Sequence, residues 1–160
     1  MLLCAVRMPT VLVVDDDCGM RETLTLILRR KWQVLLAETA ERGLELLQRH
    51  SVDVVLLDVM LPGELNGLDA LVRIKEEWPT VEVIMITVLK DLDLAKEALR
   101  RGAFFFVGKD FEYEVISVLV LRAYEHVVAS RREHAWAQQR RLTELRLSWV
   151  LDKVREGLPS

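Results

Sequence analysis

Short apolar runs alternate with segments of helical periodicity along most of this chain. The apolar runs predict five strands, near residues 10–15, 33–37, 53–58, 82–87 and 104–108. In the intervening segments apolar residues recur three or four positions apart, which predicts helices near 19–30, around 44–48, from 67 to 78 and near 91–101. Such alternation is typical of βα units around a parallel sheet, so the pattern predicts an α/β fold.

Polar residues stand where the predicted strands end. Because right-handed crossovers cover both faces of a parallel sheet, five βα units predict a doubly wound five-stranded sheet whose functional crevice lies at the carboxyl ends of the strands. Five polar side chains fall at those ends: Asp15, Asp16, Asp58, Thr87 and Lys109. We therefore expect them to share one surface. Asp17, the next residue after Asp16, is expected to be either a cap of the helix that follows or a solvated residue.

The segment after residue 112 differs from the rest of the chain. It contains no proline or glycine before Gly157, which predicts one long, extended C-terminal helix. Beyond Ala129 the helix is rich in Arg, Gln and Glu, and only one of the two core heptad positions stays mostly apolar, so a coiled coil there would be weak. Trp136 and Trp149 either mark a partner surface or cover an apolar stripe of the helix itself.

The charge distribution supports a division of the chain. The net charge is −3, but residues 130–160 hold seven basic and four acidic residues, which leaves −6 for the remainder. We expect a disordered lead at 1–8, a domain at 9–128 and a helical extension at 129–160. Two cysteines, no signal-peptide pattern and no apolar stretch of membrane length indicate a soluble cytoplasmic protein. The acidic balance argues weakly against nucleic-acid binding.

An acidic cluster at one edge of the sheet calls for a cation. Carboxylates forced together repel one another and raise their own pKa values unless a cation neutralises them. Mg²⁺ suits such a cluster because it takes oxygen ligands and keeps several waters, and Mn²⁺ accepts similar ligands. We expect carboxylates from Asp15, Asp16 and Asp58, and a backbone carbonyl from Met60.

The same cluster is suited to phosphoryl chemistry. A carboxylate beside Mg²⁺ is a nucleophile able to form an aspartyl phosphate. Thr87 supplies a hydroxyl donor and Lys109 a cation, and both groups suit phosphoryl oxygens. A phosphohydrolase of the haloacid dehalogenase type would normally show Asp-x-Asp, but Val59 and Met60 follow Asp58 here, which disfavours that enzyme.

Together these residues give the chain a family resemblance. The sequence resembles the receiver domain of two-component response regulators, the CheY-like family, over about 10–125. The matching segments are 11–17 with Arg21, 53–63 with 66–68, 84–87, and 102–103 with Phe106 and Lys109. The resemblance implies the flavodoxin-like (βα)5 fold and a role in bacterial phosphorelay signalling, with the phosphoryl group supplied by a histidine kinase.

The resemblance implies a role for each acid. Asp58 would be the phosphoacceptor. Asp16 and Asp58 would bind Mg²⁺ directly together with the Met60 carbonyl, and Asp15 would contribute through a water molecule.

The resemblance also implies a signalling route. Thr87 and Lys109 would contact the phosphoryl group, and Thr87 and Phe106 would act as switch residues. The implied partners are a sensor histidine kinase or phosphotransfer protein and a second copy of the chain. That copy would bind through the face of the fourth helix, fifth strand and last helix, or through the C-terminal helix. We expect no membrane or nucleic-acid binding by this segment, and no enzyme activity beyond Mg²⁺-dependent self-phosphorylation and autodephosphorylation.

Three positions depart from the family pattern. Lys109 precedes Asp110 rather than proline, which leaves open a trans peptide with a reshaped loop or a cis peptide. The 61–67 turn has one residue more than usual, and Val88 is bulkier than the usual alanine, which predicts slow dephosphorylation. Two alternatives therefore remain: a pseudo-receiver that binds partners without phospho-switching, and the truncated receiver of a longer transcriptional regulator or kinase.

Overall fold

The computed structural model describes residues 7–88 and 91–157. Within these residues there are five strands: β1 (Thr10–Val14), β2 (Gln33–Ala37), β3 (Val54–Asp58), β4 (Glu82–Thr87) and β5 (Phe105–Gly108). Five helices follow them in turn: α1 (Cys18–Leu28), α2 (Ala40–Arg49), α3 (Gly67–Glu77), α4 (Leu92–Arg100) and α5 (Tyr113–Gly157). Every predicted strand and helix is present, with ends that differ from the predicted ones by one or two residues in most cases.

All five strands are parallel and lie in one sheet in the order β2-β1-β3-β4-β5. This order confirms the predicted doubly wound flavodoxin-like fold. From β1 the chain adds β2 on one side of the sheet and then β3, β4 and β5 on the other, so the direction reverses between β1 and β3. Val14 pairs with Leu57 at the carboxyl end of these two strands. In such sheets the crevice for ligands opens beyond the carboxyl ends of the strands at this point.

The core consists of two apolar layers, one on each face of the sheet. On one face, side chains of β1, β3 and β4 pack against α2, α3 and α4. On the other face, alternate residues of the same strands pack against α1 and the first part of α5, including Ile116, Val120, Ala123 and Val127. Because both faces are covered, β1, β3 and β4 are buried throughout, and this rigid centre fixes where their ends lie.

Local signals set the ends of the helices. The Asp17 carboxylate accepts a hydrogen bond from Met20 N at 3.2 Å, so its predicted role as an N-cap is confirmed. Asn66 caps α3 in the same way through Asp69 N at 2.9 Å. After α4, Gly102 adopts a φ of 100°, as expected for the residue that reverses the chain after a helix.

Two buried acids lie at the amino-terminal end of the sheet. Asp53 accepts hydrogen bonds from Thr10 N at 2.7 Å and from Arg7 Nη2 at 2.9 Å to each carboxylate oxygen. Glu82 lies 2.9 Å from His126 Nδ1 and 3.4 Å from Lys75 Nζ. These contacts tie the sheet to the segment before β1, to α3 and to α5.

The chain divides into two compact units, Met1–Val127 and Val128–Ser160. Of the predicted disordered lead, the structure describes Arg7 and Met8. In the second unit, Trp136 and Trp149 are exposed. Within the described residues, none of the helices combines the length and apolar character that a membrane span needs.

Candidate metal and phosphorylation site

Three carboxylates converge at the carboxyl ends of β1 and β3. Asp15 and Asp16 follow β1, Asp58 ends β3, and one oxygen from each lies within 4.8 Å of the others. Asp15 and Asp58 are buried, at 2% and 4% exposure, whereas Asp16 is exposed. The pairing of β1 with β3 therefore produces the acidic cluster that the strand ends predict.

Lys109 reaches into this cluster from the loop after β5. Its Nζ lies 2.7 Å from Asp58 Oδ2 and 2.8 Å from Asp15 Oδ2, and its side chain is 12% exposed. The Lys109–Asp110 peptide is trans. The proline that normally follows this lysine in the family is thus not required for the ammonium to reach the acids.

The local environment shifts the pKa values of both partners. Burial raises the pKa of Asp58, and the charge of Asp15 adds to this effect, against the hydrogen bonds from Lys109 and Met60 N. For Lys109, burial favours the neutral amine, but the hydrogen bonds and charges of Asp15 and Asp58 together outweigh it and raise the pKa. The raised pKa of Lys109 favours its charged form, while the raised pKa of Asp58 makes this carboxyl ionise less readily than a solvent-exposed aspartate.

The other predicted site residues surround the cluster. Thr87 is fully buried at the end of β4, and its carbonyl accepts a 2.8 Å hydrogen bond from Lys109 N. Met60 donates its N–H to Asp58 Oδ1 at 3.1 Å, and the ligand role of its carbonyl stays a prediction. Phe106, partly buried, packs into the layer on the α2–α4 face. Val88 is exposed directly after Thr87.

The β3–α3 loop touches Asp58 through its backbone. Gly67 N donates to Val59 O at 2.9 Å, and a Cβ at Gly67 would stand 2.0 Å from the Asp58 carbonyl oxygen. Only glycine allows this approach, since real Cβ atoms do not come so close to a backbone oxygen. The first turn of α3 and the end of β3 therefore hold each other in place.

Glu41 is a residue of the site region that no sequence signal indicated. Its Oε1 accepts hydrogen bonds from Glu64 N and Leu65 N, both at 3.1 Å, across 23 and 24 positions of chain. Hydrogen bonds from its own backbone N–H, from Leu65 and from Glu64 lower the pKa of this carboxyl. An acid in the first turn of a helix usually favours the helix dipole and faces water, so its sequence context gave no reason to place it on this loop.

The residues present fit a small divalent cation. The donors are carboxylate oxygens, which Mg²⁺ prefers, and three carboxylates against one ammonium leave two negative charges when all are ionised. Asp15, Asp16 and Asp58, with the Met60 carbonyl, are the residues that would hold it.

Comparisons with known proteins identify the family of this chain. Residues 11–120 match the family model of the response regulator receiver domain. NtrC of Proteus hauseri, a DNA-binding transcriptional regulator, is 38% identical over 117 residues, which is 72% of this chain and 24% of NtrC. The transcriptional regulatory protein FixJ of Bradyrhizobium diazoefficiens is 31% identical over 149 residues, covering 92% of this chain and 72% of FixJ. This chain thus spans about a quarter of NtrC.

A solved structure extends the likeness to three dimensions. The receiver domain of DrrB, described as activated by BeF3, is 32% identical, with a TM-score of 0.69 over 74% of this chain and 99% of that domain. Receiver domains bind Mg²⁺ in an acidic pocket, and the carboxylates of Asp15, Asp16 and Asp58 form such a cluster. The fold, the family match and the strand-end acids lead to one conclusion: this chain belongs to the receiver domain family of two-component response regulators.

Proposed function

We propose that this chain accepts a phosphoryl group on Asp58 in a Mg²⁺-dependent reaction. The observation that carries the proposal is the position of Lys109 Nζ, 2.7 Å from Asp58 and 2.8 Å from Asp15, beside the Asp16 carboxylate. A nucleophile, a cation and metal-binding acids are thus within one cluster, as phosphoryl transfer requires.

The donor in this proposal is a phosphohistidine of a sensor kinase or phosphotransfer protein. An Asp58 oxygen attacks the phosphorus atom, the P–N bond breaks, and the departing imidazole keeps its electron pair and takes up a proton. Lys109 neutralises developing charge on the phosphoryl oxygens, and the Thr87 hydroxyl donates a hydrogen bond to one of them. Bound Mg²⁺ would supply further positive charge at the same oxygens.

A groove beside the cluster is suited to the donor protein. It lies between α1 and the start of α5, has a volume of about 680 Å³ and contains the exposed side chains of Leu26 and Val118. A second concavity shares Thr23, Tyr113 and Glu114 with it and extends to Lys109. A helix of the donor lying in the groove would therefore bring its phosphohistidine toward the acids.

We further propose that phosphorylation is read through Thr87 and Phe106 and leads to binding of a partner or a second copy. Two surfaces support this output. The face of α4, β5 and α5 exposes apolar side chains at Leu92, Leu99, Phe105 and Val115, and the second unit exposes Trp136, Leu145 and Trp149. Apolar groups in such numbers on a surface are typical of interaction sites. No catalytic turnover is proposed beyond self-phosphorylation and hydrolysis of the acyl phosphate.

The relatives support a longer protein as the context. NtrC and FixJ are described as transcriptional regulators, and this chain spans 24% of NtrC and 72% of FixJ. We therefore propose that the chain is the receiver part of a regulator whose output lies elsewhere, and that this segment does not itself bind DNA.

The direct test is phosphoryl uptake from acetyl phosphate, which needs no kinase. The purified chain is incubated with the donor, with Mg²⁺ or with a chelator, and its intact mass and phosphopeptides are measured. We expect one added phosphoryl group on the Asp58 peptide in the presence of Mg²⁺ alone. No uptake with Mg²⁺ present, together with an oligomeric state indifferent to the donor, would instead favour a pseudo-receiver.

A further inference from the structure

The loop between β3 and α3 is fixed at both ends to Asp58. At its start, Met60 N donates to Asp58 Oδ1 at 3.1 Å. At its end, Gly67 lies against the Asp58 carbonyl, where a Cβ would be 2.0 Å away. A change in the path of this loop would therefore alter the hydrogen bond to the Asp58 carboxylate and the position of Met60, the residue proposed to offer a carbonyl to the metal.

The middle of this loop is hydrogen-bonded to one carboxylate from α2. Glu41 Oε1 accepts the N–H groups of Glu64 and Leu65, both at 3.1 Å. Gly63 has a φ of 105°, and a Cβ there would meet Glu41 Oε2 at 3.0 Å. The turn thus wraps around the carboxylate so closely that a side chain at Gly63 would be strained and would crowd it.

The extra residue of the loop explains why such a contact is needed. A longer loop has more conformations, and its backbone N–H groups need acceptors if one conformation is to dominate. Glu41 is the second residue of α2, which begins at Ala40 behind the capping residue Thr39 and is anchored by buried Ala40, Leu46 and Leu47. The carboxylate is therefore carried by a fixed helix.

We propose that Glu41 is a positioning residue for the phosphorylation of Asp58. Its carboxylate holds the β3–α3 loop in the conformation that presents Asp58 and Met60 to the metal. The inference rests on the proposed function, because it names a residue that supports the same pocket without touching the reacting atoms. If Glu41 merely stabilised the fold, its loss would lower the free energy of unfolding without changing metal affinity.

The test compares Glu41→Ala and Glu41→Gln in the full chain, with Glu45→Ala as the control. Glu45 lies one turn further along α2 and pairs with Arg42 and Arg49 rather than with the loop. Mg²⁺ affinity is measured by calorimetry, and the rate of uptake from acetyl phosphate is measured below metal saturation. We expect E41A to weaken Mg²⁺ binding about tenfold, in line with residues that orient metal ligands, and to slow uptake equally.

The conservative variant and the loop variant separate positioning from stability. E41Q keeps an acceptor oxygen, so we expect it to lose less than about threefold in affinity. Gly63→Ala disturbs the same contact from the loop side and should weaken Mg²⁺ binding in the same direction. The double variant E41A/G63A should bind Mg²⁺ only slightly more weakly than either single variant, since both substitutions disrupt the same contact. If E41A does not fold, E41Q and G63A provide the test.

The outcomes for the inference and for the proposed function are distinguishable. Equal Mg²⁺ affinity in wild type and E41A, or a loss as large in E45A as in E41A, would overturn the role of Glu41. Absence of phosphoryl uptake by wild type would overturn the proposed function, while the Mg²⁺ affinities of the variants would still decide the role of Glu41.

Discussion

The two ends of the sheet both bury carboxylates, but they compensate them differently. At the amino-terminal end, Asp53 is fully buried. It accepts a hydrogen bond from Thr10 N, and both of its carboxylate oxygens accept hydrogen bonds from the Arg7 guanidinium. At the carboxyl end, Asp15 and Asp58 pair with the ammonium of Lys109, and Asp16 is the third carboxylate of the cluster.

This contrast separates a structural acid from a functional one. Where a buried carboxylate contacts a cation and a backbone donor of the same chain, these contacts offset the free energy of its desolvation. Such a carboxylate needs no ion from solution. Three carboxylates against one ammonium keep an excess of two negative charges when ionised, which matches the charge of one divalent cation. The same residue type thus stabilises one end of the sheet and provides a binding site at the other.

The largest expected difference between the two ends of the sheet is the effect of their acids on phosphoryl uptake. Asp58→Asn removes the nucleophile, so we expect phosphoryl uptake from acetyl phosphate to fall by more than about 10³-fold. Asp53→Asn leaves the pocket intact and should retain uptake. Intact-mass spectrometry of both variants after equal incubation measures this. Uptake by D58N at the wild-type level would place the acceptor at another residue.

Removing the cation from each end should also have different consequences. Lys109→Met leaves two buried carboxylates unpaired, and we expect it to lower the free energy of unfolding by about 3 kcal/mol without metal. Arg7→Met should cost about 1 kcal/mol, because Arg7 is 45% exposed and Asp53 keeps Thr10 N.

Urea unfolding with and without Mg²⁺ distinguishes the two variants. We expect Mg²⁺ to recover part of the loss in K109M, since the ion replaces the missing positive charge, and none of the loss in R7M. An equal effect of Mg²⁺ on both variants would remove the distinction between the two ends.

Neutralising the acids themselves should change stability in opposite directions. We expect Asp53→Asn to lower the free energy of unfolding by about 2 kcal/mol, because it weakens a buried ion pair and the bond from Thr10 N. Asp58→Asn removes a carboxylate that is repelled by Asp15, so without metal it should be at least as stable as wild type. Urea unfolding in chelator measures both, and a D58N variant less stable than D53N would contradict this.

The smallest expected effect is a dependence on pH at the carboxyl end. Burial raises the pKa of Asp58 above its ordinary value of 3.8, so the folded state favours the protonated form. The resulting stabilisation is complete below 3.8 and is lost as pH rises through the higher pKa of the folded state. The metal-free wild type should therefore lose stability relative to D58N across this window. Urea unfolding at a series of pH values measures the difference, and a constant difference would contradict the prediction.

The sequence predicted the fold and the members of the acidic cluster for one physical reason. Parallel strands end at the same edge of a sheet, so their end residues are expected to be neighbours. These residues are the two acids after β1, the acid that ends β3, Thr87 at the end of β4 and Lys109 after β5. Hydrophobic periodicity located those ends within a residue or two, and that accuracy is sufficient to bring side chains together.

The residues that the sequence did not reveal act through contacts that have no local pattern. Glu41 binds backbone N–H groups 23 and 24 positions away, and Arg7 falls in a segment that was expected to be disordered. The reach of Lys109 also depends on the loop conformation. A Cβ at Gly108 would meet the Asp110 carboxylate at 2.5 Å, a local close approach that no periodicity encodes.

The strand order has a consequence for how the domain unfolds. The pocket takes residues from β1, β3, β4 and β5, and its closest ion pair joins positions 51 apart in sequence. No partial fold that lacks one of these strands contains the complete cluster. An ion held there would therefore stabilise only the fully assembled sheet, and it would slow amide hydrogen exchange across all of these strands rather than only around the acids.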